Sequence, residues 1–242
     1  MMPTSSHFPP SPSGEYRCLE NLNLYTAEAC QGLATQAAAG RQLRLLMFTE
    51  QSVQVQLCED DYIAWLAVRD AGKLTPAVQR YQTERLERGE IVERIEGAIA
   101  FTQAAMTQPH CYLWGGTVAP DYDCSGLIQA AFASVGVWLP RDSYQQAAFT
   151  DPLEDPDLQR GDLIFFQEPG KLRVSHVAIY LGEGQYLHSS GVDLGRNGIG
   201  IDPYHPDGSD IGARYYPLRH SNGRISRSYC PGDGWEIDSR PK

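Results

Sequence analysis

The hydrophobic period of this chain changes once, near residue 80, and that change limits what the chain can fold into. Between residue 15 and about 70, apolar and polar residues alternate. The clearest run is SVQVQLCEDDYIAWL, in which Val53, Val55 and Leu57 share one face and Ser52, Gln54 and Gln56 the other. YRCLENLNLY and RQLRLLMF alternate as well, and Gly32 and Gly40 supply turns. Several short strands in roughly sixty residues predict a small all-β barrel. Over 80–107 the period lengthens. Ile91, Ile95 and Ile99 recur every four residues with Val92 and Ala98 beside them, the stripe of an amphipathic helix. Beyond 107 helix and strand signals mix. The expected architecture is therefore α+β in two parts: a disordered Pro/Ser tail over 1–14, a barrel over 15–79, a connecting helix region over 80–107, and a second domain over 108–235. The polar stretch after Tyr216 reads as mostly loop.

Composition narrows the partners. The chain carries 20 Lys and Arg against 30 Asp and Glu, a net charge of −10, with no basic stripe, which argues against nucleic acid. No segment approaches the ~20 apolar residues of a membrane span. The N-terminal MMPTSSHFPPSPSGEY has neither a basic nor an apolar signal region, so a cytoplasmic location with reduced thiols is expected. None of the six cysteines forms a CxxC pair, which excludes a zinc ribbon. No cofactor, resident metal or protein partner is expected.

One thiol stands apart. In APDYDCSGLIQAAFASVG, Cys124 opens a helix whose stripe is Cys124, Leu127, Ile128, Ala131 and Val135, ended by Gly136. A helix N-terminus favours a thiolate and offers N–H groups to an oxyanion. Asp123 is placed to cap that helix, and Gly126 leaves room for a close approach. The negative charge of Asp123 opposes thiolate formation, so a base is needed. His176 and His188 are the candidates, on two strands joined by a Gly182-Glu183-Gly184 loop. A three-residue loop pairs 176 with 190 and puts both imidazoles on one face. A two-residue loop puts them on opposite faces. On the first register, one imidazole takes the thiol proton and the second orients it. The same three side chains could instead be a buried thiol with two structural histidines, or ligands of a zinc ion.

The strings YLWGG (112–116), DCSGLI (123–128), LPRDSYQQ (139–146), GDLIFF (161–166), SHVAIYLGEG (175–184) and YLHSS (186–190) occur in an order that resembles the NlpC-type cell-wall cysteine peptidases. That resemblance implies a papain-like α+β fold with a nucleophile helix on an antiparallel sheet. It implies Cys124 as nucleophile, His176 as base, His188 as third polar residue and Tyr112 as a contributor to the oxyanion hole. The N-terminal region is similar to bacterial SH3-like barrels. The pairing resembles a cyanobacterial group of γ-D-glutamyl-diamino-acid endopeptidases, which implies cleavage between γ-D-glutamate and meso-diaminopimelate in murein stem peptides with a free N-terminal L-Ala, in recycling of wall peptides.

A free ammonium needs acceptors. CEDDY offers Glu59, Asp60, Asp61 and Tyr62, and Asp123 lies beside the thiol. Arg141 and Ser143 are candidates for substrate carboxylate or amide groups. Two alternatives remain at this stage: a non-catalytic wall-binding protein, and an amidase or acyltransferase using the same thiol.

Overall fold

Alternation in the first part of the chain becomes seven antiparallel strands. The computed structural model describes residues 8–207 and 210–232, and the chain divides into one unit of residues 1–84 with 230–242 and another of 85–229. In the first unit the strands are β1 (Glu15–Cys18), β2 (Leu22–Tyr25), β3 (Leu33–Ala37), β4 (Gln42–Phe48), β5 (Ser52–Leu57), β6 (Ile63–Ala67) and β7 (Leu74–Pro76). They form one curled sheet in the order β3-β2-β6-β5-β4-β1-β7. Val53, Val55 and Leu57 are fully buried with Leu24, Leu43 and Leu66, as the alternation requires, while Gln54 and Gln56 lie on the other face.

Two expectations for this unit are corrected. The N-terminal tail, from Phe8 on, is packed rather than disordered. Phe8 is buried against Tyr16 and Phe48, and Tyr16 donates to the Pro9 carbonyl at 2.8 Å. The Phe8 ring anchors the Pro/Ser-rich stretch, and Ser13 Oγ, donating to the Ala77 carbonyl at 2.7 Å, ties it to the residue after β7. Residues 1–7 lie outside the described residues. Glu59 and Asp60 do not form an open acidic loop either. Both are buried on Arg41, at 3.0 and 2.9 Å, and Glu59 also accepts from the Gln42 N–H at 2.8 Å. Burial raises the Glu59 pKa and the Arg41 guanidinium opposes that rise. Tyr62 packs half-buried against the core of this unit, and Asp61 holds the Gln56 amide.

The second unit begins with α1 (Arg88–Thr107). The helix starts at a capping box between Glu87 and Glu90, eight residues later than the period change suggested. Ile91, Ile95, Ala98 and Ile99 form its buried stripe, and Val92 is half exposed. β8 (Thr117–Val118) and β9 (Asp121–Tyr122) form a short ladder that delivers the chain to α2 (Cys124–Ala133), followed by α3 (Ser143–Phe149). The main sheet comprises β10 (Asp151–Leu153), β11 (Leu163–Phe166), β12 (His176–Gly182), β13 (Gln185–Ser190), β14 (Gly198–Pro203) and β15 (Arg219–Arg224), with α4 (Asp210–Tyr215) before the last strand. Its order is β10-β15-β11-β12-β13-β14, all antiparallel where paired. α2 packs on β12 and β13. The turn into β11 uses Gly161 at φ 93°, where a Cβ would also run into the Ile95 side chain of α1. The segment read as loop is thus partly wrong: RHSNGR is β15, an interior strand. Its ladder bonds come from backbone alone, and its polar side chains hide the strand from a hydrophobic-period reading. Of the second domain's expected span, 233–235 lies outside the described residues.

Candidate active site

Cys124 is the first residue of α2, and Asp123 is its N-cap. The Asp123 carboxylate accepts from the Gly126 N–H at 2.7 Å and from the Gly115 N–H at 2.9 Å, tying the preceding loop to the helix start. Arg141, fully buried, grips the same carboxylate with Nη1 at 3.1 Å and Nη2 at 2.7 Å, and donates to Ser125 Oγ at 2.9 Å. Arg141, offered by the sequence as a candidate for substrate carboxylate or amide groups, is instead fully buried on Asp123. It neutralises the charge beside the thiol, which removes the objection that Asp123 alone raises. Ser143, also buried, opens α3 next to the Asp142 cap. Gly126 has a different use from the one expected. A Cβ there would overlap the Gly116 carbonyl oxygen and press on Asp123 Oδ1 and Thr117 Cγ2 at 2.9 Å. The space is filled by this chain's own loop, so the glycine seats α2 on the 115–117 turn.

His176 opens β12, and His188 lies on β13. The expected register holds, but the turn differs. Ile179 pairs with Leu187 and Tyr180 with Tyr186, which extends to 176 opposite 190. The loop itself is the two-residue Glu183-Gly184 turn, both at positive φ (52° and 69°), closed by Gly182 against Gln185. A two-residue turn alone would reverse the faces. A bulge between Tyr180 and Gly182 inserts one residue and restores them. The two imidazoles therefore meet, with His176 Nε2 and His188 Nδ1 2.7 Å apart and the rings 4.9 Å apart near perpendicular. Both are buried, and burial pushes both pKa values below 6.5, His176 furthest. Burial and the His188 ring thus favour the neutral imidazole at His176.

Tyr215 from α4 closes one side. Its ring lies 4.6 Å from that of His176 and 4.7 Å from that of His188, and its hydroxyl meets Ser190 Oγ at 3.0 Å. Burial first, and the nearby Cys124 sulfur among the lesser causes, raise its pKa far above 10. Tyr112, half-buried, is raised the same way, with Cys124 next after burial. Both phenols are thus protonated donors within electrostatic reach of Cys124. Cys124 opens the helix that packs on the two histidine strands, and Ser189 Oγ donates to the Tyr122 carbonyl at 2.7 Å, fixing β13 to the strand that precedes α2.

Sequence reasoning missed two groups. His188 Nε2 lies 2.8 Å from Asp202 Oδ2, and Arg196 Nη2 lies 2.6 Å from the same oxygen. Asp202 is opposite Tyr186 in the β13–β14 ladder. The signal available was GIGID, a run with small residues alternating with Ile that ends on a carboxylate, but its face depended on pairing. Among the described residues no cluster of three or more His, Cys, Asp or Glu side chains is arranged to hold a metal ion. No helix among them is long and apolar enough to cross a membrane.

The chain is 43% identical over 79 residues to a gamma-D-glutamyl-L-lysine dipeptidyl-peptidase of Bacillus cereus, covering 32% of this chain and 24% of that protein. It is 41% identical over 92 residues to a probable endopeptidase of Mycobacterium tuberculosis, covering 38% of this chain and 23% of that one. The matched part thus spans about a quarter of the length of these relatives. A crystal structure of an NlpC/P60 family protein from Bacillus cereus superposes with a TM-score of 0.47 at 25% identity, covering 87% of this chain and 62% of that one. Residues 24–70 match the bacterial dipeptidyl-peptidase Sh3 domain and residues 109–207 the NlpC/P60 family, so the chain carries an NlpC/P60 domain preceded by a bacterial Sh3 domain.

Proposed function

We propose that the chain is a cysteine endopeptidase that hydrolyses the bond between γ-D-glutamate and the diamino acid of murein peptides bearing a free N-terminal L-Ala. The observation that carries the reading is Cys124 at the capped start of α2, packed on the two strands that bring His176 and His188 together. The names of the dipeptidyl-peptidase relatives support the choice of bond.

The steps follow from the ring nitrogens. His176 Nε2 is engaged by His188, so Nδ1 is the nitrogen left to take the Cys124 proton. The thiolate attacks the γ-carbonyl carbon of D-Glu, and the carbonyl oxygen becomes an oxyanion that the Tyr112 hydroxyl can receive. The C–N bond breaks as the leaving amine takes the proton from His176. Water then attacks the thioester and gives a proton to His176. The C–S bond breaks, and the proton returns to sulfur. His188 keeps the His176 ring in place throughout.

The test is mass spectrometry of L-Ala-γ-D-Glu-meso-diaminopimelate and of its lysine counterpart, free and N-acetylated, with wild type and Cys124→Ala. Release of L-Ala-γ-D-Glu from free peptide by wild type alone is expected. An intact peptide under conditions in which wild type is folded would overturn the substrate. Equal cleavage of acetylated peptide would remove the amine requirement.

A further inference from the structure

The His176–His188 pair does not end at His188. We infer that Asp202 and Arg196 form an opposed pair of positioning residues that sets the proton arrangement and basicity of His176 from the far side of the site: Asp202 favours its protonated form, and Arg196 restrains that effect. This rests on the reading of Cys124 and His176 as nucleophile and base.

The argument is one of donors and acceptors. A carboxylate only accepts, so the hydrogen between His188 and Asp202, 2.8 Å apart, sits on His188 Nε2. In a neutral His188 the other nitrogen, Nδ1, then carries a lone pair. It must accept from His176 Nε2–H across 2.7 Å. A neutral His176 is left with its lone pair on Nδ1. Asp202 thus chooses the tautomer of a ring it does not touch. When His176 takes the thiol proton, its positive charge is relayed as one shared hydrogen-bond chain to the carboxylate, with no proton passing to Asp202.

Arg196 acts in the opposite sense. Its Nη2 binds the same Asp202 oxygen at 2.6 Å and dilutes that negative charge. Burial lowers the His188 pKa, Asp202 raises it and Arg196 lowers it, which matches the geometry. The chain makes room for this arrangement: a Cβ on Gly200, the residue paired with His188 in the ladder, would overlap the Arg196 guanidinium. Tyr215 from α4 and Tyr186 from β13 pack against the two rings, and Cys124 from α2 is felt at Tyr215 and at Tyr112 from the loop before β8. Glu168, from the loop after β11, is felt at Tyr215. Phe166 from β11 adds an uncharged wall. The three phenols are all pushed above 10 and stay neutral across the working range. Among the described residues, Asp202 and Arg196 are the charges felt at His188, the second ring of the chain.

The test reads Cys124 itself. Alkylation by iodoacetamide is followed against pH by peptide-level mass spectrometry at Cys124, for wild type, Asp202→Asn and Arg196→Gln, with kcat/KM on the tripeptide in parallel. Asp202→Asn keeps the shape and an acceptor but removes the charge. It should slow alkylation at neutral pH about tenfold and move the acid limb down by about one pH unit. Arg196→Gln should move the limb up and speed alkylation. Loss of packing would slow both variants. Shifts in the same direction, or two wild-type profiles, would overturn the inference. If wild type leaves the tripeptide intact while the variants shift in opposite directions, the proposed substrate falls and the positioning role stands.

Discussion

Replacing Arg141 by Met should damage the protein more than any exposed arginine could. The guanidinium is fully buried and donates to both carboxylate oxygens of Asp123 and to Ser125 Oγ. Asp123 is itself 3% exposed. Met fills much of the space but leaves the buried carboxylate without its charged partner. Breaking one side of a buried pair costs about 3–5 kcal/mol, because the remaining charge cannot reach water. With an m-value of about 2 kcal/mol per molar urea, a loss near 4 kcal/mol lowers the urea midpoint by about 2 M. Helical circular dichroism reports the relevant unit, since all four described α-helices belong to residues 85–229. Adding Asp123→Asn should recover about 1–3 kcal/mol of the loss, as the stranded charge is then gone. Arg141→Lys should recover little, because an ammonium cannot reproduce the two-pronged grip. A midpoint within about 0.5 M of wild type for Arg141→Met, or strictly additive losses in the double variant, would refute the argument.

Four further outcomes follow from the site. His188→Ala should lower kcat on the tripeptide by about 10²-fold or more with little change in KM, because His188 orients the base without touching substrate; steady-state kinetics with unaltered kcat would remove that role. The acid limb of kcat/KM should lie below pH 6.5, because burial and His188 hold His176 below its ordinary value and the neutral ring is the active form. The same lowered values mean that the unfolded chain binds protons more readily at both histidines. Their contribution to stability is therefore complete above pH 6.5 and is lost as pH falls below it, which a series of urea midpoints between pH 7.5 and about 5 would show. Gly126→Ala should destabilise by about 1–3 kcal/mol and reduce turnover, since the new methyl meets a backbone carbonyl that cannot swing aside; a variant with wild-type stability would contradict the packing described for α2.

Much of the candidate site is legible in the chain itself because its signals are local. A helix start needs a cap, a stripe and a stop within about a dozen residues. Asp123, Leu127, Ile128 and Gly136 are all inside that window, so Cys124 could be placed on a helix N-terminus before any fold was known. Val53, Val55 and Leu57 declare their buried face in the same way. The two histidines were at the edge of legibility. Their shared face followed from a loop length, yet the structure reaches the same register through a shorter turn and a compensating bulge.

What lay beyond the sequence is what depends on partners far along the chain. Arg41 and the acidic pair Glu59 and Asp60 are separated by a strand hairpin, and only their folding together turns an apparent surface loop into a buried ion pair. Arg141 and Asp123 are likewise joined across the helix between them. β15 carries no apolar period, so its place inside the sheet comes from neighbours that satisfy its backbone. Asp202 reaches His188 because β14 pairs with β13 in one register among several that the sequence would allow. Sequence determines the period of each element, its caps and the chemistry each side chain can offer. Tertiary structure decides which charges are neutralised, which ring nitrogen is free and which face of a strand meets another, because burial and pairing are properties of neighbours that the linear order does not hold.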